Sequence, residues 1–133
     1  MPRAKGIFDV SLKALPMDNE TGTQLLGRMS IDKKFQGDLD ATSKGQMLTG
    51  GTIIKNSASY VAIEIVTGSL KGRKGSFILQ HTGTMNRGEP SLVITVVPDS
   101  GTDQLEGLKG TMKIDINAGK HSYDLDYVLA NFP

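Results

Sequence analysis

Residues 75–85 read GSFILQHTGTM, and the pattern of that stretch decides the fold. Successive side chains of a strand point to opposite faces, so Phe77, Leu79, His81 and Met85 share one face while Ile78, Gln80, Thr82 and Thr84 share the other. Both faces carry apolar side chains, and His81 stands where the alternation calls for an apolar one. SYVAIEIVTGSL (59–70) and PSLVITVVP (90–98) have the same two-sided character. Such strands are covered twice, once by a core and once from outside.

The flanking segments alternate cleanly, as half-buried strands do. In GIFDVSLK, Phe8, Val10 and Leu12 oppose Asp9, Ser11 and Lys13. GRMSIDKKF sets Met29, Ile31, Lys33 and Phe35 against Arg28, Ser30, Asp32 and Lys34, with Lys33 as the intruder on an apolar face. GDLDATSKGQM continues through Leu39, Ala41, Ser43 and Met47, GTMKIDIN through Met112, Ile114 and Ile116, and HSYDLDYVL through Tyr123, Leu125, Tyr127 and Leu129. NAGK (117–120) is a hairpin turn, and LKGRKG (70–75) reads as another rather than as a phosphate loop, because no strand-loop-helix context surrounds it. PDSGTD (98–103) has neither the spacing nor the ligand count of a calcium loop and reads as a turn. LKALPMDNETGTQ (12–24) is the longest polar break and predicts a long loop after the first strand, with the sequon at Asn19 as part of it.

About eight strands at hairpin spacing, with no amphipathic helix between them, predict an all-β fold in which an antiparallel sheet closes into a barrel and so loses its edges. The 133 residues fit one domain, spanning residues 1–133. A barrel of this size either fills its interior with side chains or holds one small ligand. The outer apolar faces of the middle strands call for a cover, and an identical subunit supplies one, so a homo-oligomer, dimer or trimer, is expected.

Composition excludes several partners. With 15 Lys plus Arg against 14 Asp plus Glu, the net charge of +1 offers no field for nucleic acid or an anionic membrane. There is no cysteine and there are two histidines, His81 and His121, so neither a thiolate site nor a multi-histidine zinc site is expected, and no metal or cofactor is implied. MPRAKGIFDV lacks the apolar stretch of a signal peptide and no run approaches a membrane span, which makes the cytoplasm the expected location.

The segments GDLDATSKGQMLTGG, YVAIEIVTGSLKGRKGSFILQHTGTM, VVPDSGT and GKHSYDLDY together resemble a bacterial family of uncharacterised single-domain proteins with an allene oxide cyclase-like barrel, SFILQHTGTM being the most specific part. The resemblance runs from Gly6 to Leu129 and implies a closed antiparallel barrel of about eight strands, with no established activity attached. Allene oxide cyclases are cavity enzymes that cyclise a reactive lipid epoxide, and the dirigent proteins look like relatives in fold. Neither activity is carried over, since fold alone does not imply function.

If the apolar parity of the outer strands marks the lumen and extends to the larger residues of the middle strands, Tyr60, Ala62, Glu64 and Val66 face inward, followed by Phe77, Leu79, His81 and Met85. Lys33, Glu64 and His81 then meet inside, with Ser43 beside them and Tyr60, Tyr123 and Tyr127 as further donors. Buried charges are costly unless paired, so these side chains must find one another, a water or a ligand. His81 and Glu64 are the candidate acid and base. Lys33, Ser43, Tyr60, Phe77, Leu79, Met85, Tyr123 and Tyr127 are candidate pocket residues, and Gln80 joins them because the opposite parity would turn it, Thr82 and Thr84 into the lumen. His121, at the start of the last strand, reads as exposed.

Two readings of function stay open. In one, the barrel binds a small apolar molecule in its interior and is an isomerase or cyclase in which His81 or Glu64 moves a proton. In the other, it is a non-catalytic oligomeric protein with a filled barrel. A connected void lined by His81 and Glu64 separates them.

Overall fold

In the computed structural model, which describes residues 2–17 and 25–129, every strand runs antiparallel to the next. The strands are β1 (Arg3–Leu15), β2 (Leu26–Gly37), β3 (Leu39–Gly51), β4 (Ala58–Leu70), β5 (Arg73–Asn86), β6 (Glu89–Val96), β7 (Leu108–Asn117) and β8 (Lys120–Leu129). β1 pairs with β8 as well as with β2, so the eight strands close into an up-and-down barrel in chain order. Among the described residues helix is confined to one short 3-10 turn, Asp103–Leu105. Among the described residues no helix is long and apolar enough to cross a membrane.

Turn chemistry explains the hairpins. Lys71–Gly72, Arg87–Gly88 and Ala118–Gly119 each hold two consecutive residues at positive φ. That conformation gives two-residue hairpins a twist matching their strands, and it favours glycine because no Cβ resists it. The turns within LKGRKG and NAGK therefore form where the sequence places them.

β1 runs further than its pattern suggests. It continues through Leu12, paired with Ile31, to Leu15, paired with Arg28, so the first part of the segment expected as loop is strand. The pairing is possible because β2 begins at Leu26, early enough to supply partners as far as Arg28. The sequon at Asn19 and the rest of residues 18–24 lie outside the described residues.

The two ends of the barrel differ. One is sealed by the segment 97–107, which crosses beneath the short β6 and docks on the first half of β5. Thr102 N–H donates to Ser76 O at 2.9 Å, Ser76 N–H to Thr102 Oγ1 at 3.0 Å, Ile78 N–H to Ser100 Oγ at 3.0 Å and Lys74 N–H to Gln104 Oε1 at 2.8 Å. These bonds occupy the donors that β6 is too short to reach. Leu105 enters the barrel floor and is 1% exposed. Above it, Phe35, Leu39, Val66, Leu70, Phe77, Leu79, Leu108 and Leu125 fill this half with side chains.

The other end, where the β3–β4 connection, the β5–β6 hairpin and the β7–β8 hairpin lie, is not filled. Leu26, Met85, Leu92 and Ile116 are exposed there. The barrel is thus a plugged cup.

Candidate functional site

Mid-depth in the cup, the alternation of four strands delivers polar side chains to one place. The register pairs Lys33 with Ser43, Glu64 with Gly45 and with Leu79, and His81 with Ala62 and with Ile94. All four polar residues, Lys33, Ser43, Glu64 and His81, are buried, Glu64 completely. Gly45 makes the meeting possible: a Cβ there would stand 2.6 Å from Glu64 Cα and 2.7 Å from its Cβ, so only a bare backbone lets β3 pass this close to the glutamate.

Glu64 is the hub. Its Oε2 accepts from Lys33 Nζ at 2.8 Å and lies 2.5 Å from His81 Nε2, while its Oε1 accepts from Ser43 Oγ at 2.6 Å. Burial by itself would raise the carboxyl's pKa. The His81 hydrogen bond, the Lys33 charge and the hydrogen bonds from Lys33 and Ser43 together outweigh it and hold Glu64 down at about 2. The carboxylate is therefore ionised at neutral pH. Lys33 turns its remaining ammonium surface to aromatic faces, 5.0 Å from the Phe8 ring centre and 5.7 Å from that of Phe35. Among the described residues the one buried side-chain polar atom without a partner is Asp126 Oδ1, so the cluster is satisfied throughout.

An ionised carboxylate only accepts hydrogen bonds, so His81 Nε2 carries a hydrogen. The other ring nitrogen, Nδ1, lies 3.3 Å from the Tyr60 hydroxyl. Tyr60 is half-buried, and burial followed by the charge of Glu64 pushes its phenol above the ordinary pKa. Its ring lies against Gly83, the paired residue on β5, where a Cβ would meet Tyr60 Cε1 at 2.6 Å.

Beyond Tyr60 the cup is hollow. A cavity of about 540 Å³ opens at this end, lined by Met47, Thr49, Ala58, Tyr60, Met85 and Leu92 among others. Tyr60 belongs to its wall, whereas His81 and Glu64 lie behind Tyr60 and do not line it. The void that would separate the two readings thus stops one residue short of His81 and Glu64, because the Tyr60 ring occupies the space that Gly83 leaves free.

The other residues singled out in the sequence divide by depth. Met85 stands on the rim of the cavity, and Phe77 and Leu79 belong to the packed half below the cluster. Tyr123 and Tyr127 also face inward but serve the sealed end. The Tyr123 hydroxyl donates to Gln36 O at 2.8 Å and accepts from Leu39 N–H at 2.9 Å, pinning the β2–β3 turn, and Lys71 Nζ lies 6.0 Å from the Tyr127 ring. Gln80 is corrected to the outer face, where it is exposed, because the lumen takes the parity of His81. His121, read as exposed, is half-buried with its ring 5.2 Å from that of Phe8. Met47, on the apolar parity of its strand, is absent from the pocket candidates, and Thr49 and Leu92 escaped notice; Gly83, a glycine inside a strand, was the available signal that a bulky neighbour lies close. Among the described residues no group of three or more His, Cys, Asp or Glu side chains is placed to hold a metal ion.

Comparison with known proteins places this geometry in a family. No curated protein matches the chain. Residues 4–127 match the family described as "Protein of unknown function (DUF3224)". A solved structure of a DUF3224-family protein of unknown function from Shewanella oneidensis MR-1 is 46% identical, covers 99% of both chains and superposes with a TM-score of 0.93. A barrel matched along nearly its whole length, both in sequence and in shape, makes this chain a member of the DUF3224 family.

Proposed function

We propose that the barrel binds a small, largely apolar molecule in the cavity at its open end, with the Tyr60 side chain as part of the wall. The observation that carries this reading is an apolar hollow of about 540 Å³, within the size range of small-molecule sites, ending on a tyrosine wired to a buried charged cluster. A barrel built only for stability has no use for Lys33, Glu64 and His81 at its centre, since apolar residues of similar volume are often as stable there.

The isomerase or cyclase reading keeps its chemistry and changes its actors. His81 and Glu64 reach the cavity through Tyr60, so a proton leaving the bound molecule passes to the Tyr60 oxygen as the Tyr60 proton passes to His81 Nδ1. The imidazolium formed is stabilised by the Glu64 carboxylate, in the manner of a hydroxyl–histidine–carboxylate relay. Tyr60 touches the substrate, and His81 and Glu64 position and charge it. The sequence's resemblance to allene oxide cyclase-like barrels, whose namesakes work on apolar substrates in a cavity, fits this reading by analogy. A chain without cysteine suits the reducing cytoplasm.

Native mass spectrometry of the protein as purified tests binding. A retained small molecule of constant mass, lost in Met47→Trp, which fills the cavity, supports the reading. Apo mass in every preparation, together with no uptake of apolar fluorescent probes, refutes it.

A second copy of the chain is the partner we propose. From Ser59 to Ser69 on β4, Ser76 to Thr84 on β5 and Ser91 to Thr95 on β6, no outward side chain is charged, and Leu48, Val61, Ile63, Ile65 and Val93 form an exposed apolar patch across this face and the adjoining β3. A chain of net charge +1 brings little repulsion to self-association. Sedimentation should give a dimer or trimer that Ile63→Lys converts to monomer; a monomeric wild type refutes it.

A further inference from the structure

The hydrogen-bond polarity of the cluster reaches the cavity. Glu64 is ionised and can only accept, so His81 gives its Nε2 hydrogen to Glu64. Lys33 already offsets the Glu64 charge, so a neutral imidazole leaves the buried group without net charge. In that tautomer Nδ1 is a bare acceptor, and the hydrogen between it and Tyr60 is the phenolic one: Tyr60 O–H donates to His81 at 3.3 Å. Among the described residues the Tyr60 hydroxyl has no other hydrogen-bond partner. What remains to it is lone pairs.

We propose that Tyr60 meets the ligand as a hydrogen-bond acceptor, so that the cavity selects a small apolar molecule carrying a single O–H or N–H donor, an alcohol, phenol or enol. The inference rests on the binding reading above and adds the chemical class. A ligand with only an acceptor, such as an ether, ketone or ester, would set its oxygen against the tyrosine lone pairs or pull the phenolic hydrogen away from His81. Either way an acceptor group in a partly buried site goes unpaired, which is the kind of mismatch that discriminates strongly between ligands of one shape. Thr49, the cross-strand neighbour of Tyr60, is the other inward hydroxyl of the wall. It can serve a bound molecule as donor or acceptor and so does not set the polarity.

Three probes of one ring system separate the possibilities: naphthalene, naphthol and methoxynaphthalene, titrated by fluorescence against the full chain. Naphthol should bind about fivefold to tenfold more tightly than methoxynaphthalene, the size of one net hydrogen bond. Tyr60→Phe should abolish that preference, so that naphthol and methoxynaphthalene bind alike. His81→Leu, which removes the acceptor for the Tyr60 hydrogen and frees it for the cavity, should let methoxynaphthalene bind as tightly as naphthol; a merely structural His81 would weaken all three probes alike and keep the preference. If methoxynaphthalene binds the wild type as well as naphthol while naphthalene binds, the donor rule is wrong and the apolar cavity stands. If none of the three binds, the cavity reading falls as well.

Discussion

Lys33 Nζ and Glu64 Oε2 meet at 2.8 Å in the middle of the barrel, with the two side chains 5% and 0% exposed. Both charges are almost wholly removed from solvent, so each depends on the other. Removing one should cost far more than removing both. Glu64→Leu strands the ammonium against two phenylalanine rings and should lose about 3–5 kcal/mol of unfolding free energy. Lys33→Met added to it should recover most of that loss. Urea midpoints of the single and double variants measure both; a double variant as weak as Glu64→Leu alone would mean that packing, and not the stranded charge, causes the loss.

The same carboxyl sets an acid limit. Its native pKa of about 2 lies below the ordinary 4.5, so the ionised form stabilises the fold at every pH above that ordinary value. As pH falls from about 4.5 towards 2, the unfolded chain takes up the proton first and the contribution disappears. A shift of this size amounts to about 3 kcal/mol. Stability measured by urea at pH 6, 4 and 3 should fall more steeply for the wild type than for Glu64→Gln. Parallel curves would place the acid sensitivity on other carboxylates.

Much of this site was legible in alternation alone. Lys33, Ser43, Glu64 and His81 are polar residues at apolar parity, and four such intruders on neighbouring strands have to meet inside a closed barrel. Parity is ambiguous where both faces are apolar: Ile63, Ile65 and Ile78 look as suited to a core as Val66 and Phe77, so the pattern alone leaves Gln80 eligible for the pocket. Depth was not legible at all. Tyr60, Tyr123 and Tyr127 share an inward parity, yet one lines the open cavity and two serve the sealed end. Their heights follow from the stagger of one strand against the next, which pairing sets and a single strand's pattern does not encode.

The register that brings the cluster together hinges on Gly45. A methyl group there would press into the backbone of β4 at Glu64, where a contact of 2.6 Å to Cα leaves no side-chain rotation to relieve it. Gly45→Ala should therefore destabilise the barrel by about 1–3 kcal/mol, despite alanine's lower cost in the unfolded chain. Gly119→Asn, at a turn where a Cβ meets nothing within 4 Å and asparagine tolerates a φ of 79°, should change little. Thermal melts compare the two directly. Equal melting temperatures would show that β3 and β4 part easily at this point.

The barrel also has a weak seam. β6 and β7 are joined through only Ile94–Met112 and Thr95–Thr111, whereas β4 and β5 pair continuously from Ala58–Met85 to Leu70–Arg73. Local opening costs least where few backbone bonds must break together. Amides of β6 and β7 facing this seam should exchange with deuterium faster than those of β4 and β5, by a factor of ten or more on the order of 1–2 kcal/mol of lower opening energy. The cavity wall includes Leu92 on β6, so a bound molecule should slow exchange on the β5–β6 side more than at the sealed floor around Leu105. Uniform protection around the barrel would mean that it opens only as a whole, and that the 97–107 segment braces β6 as firmly as a longer ladder would.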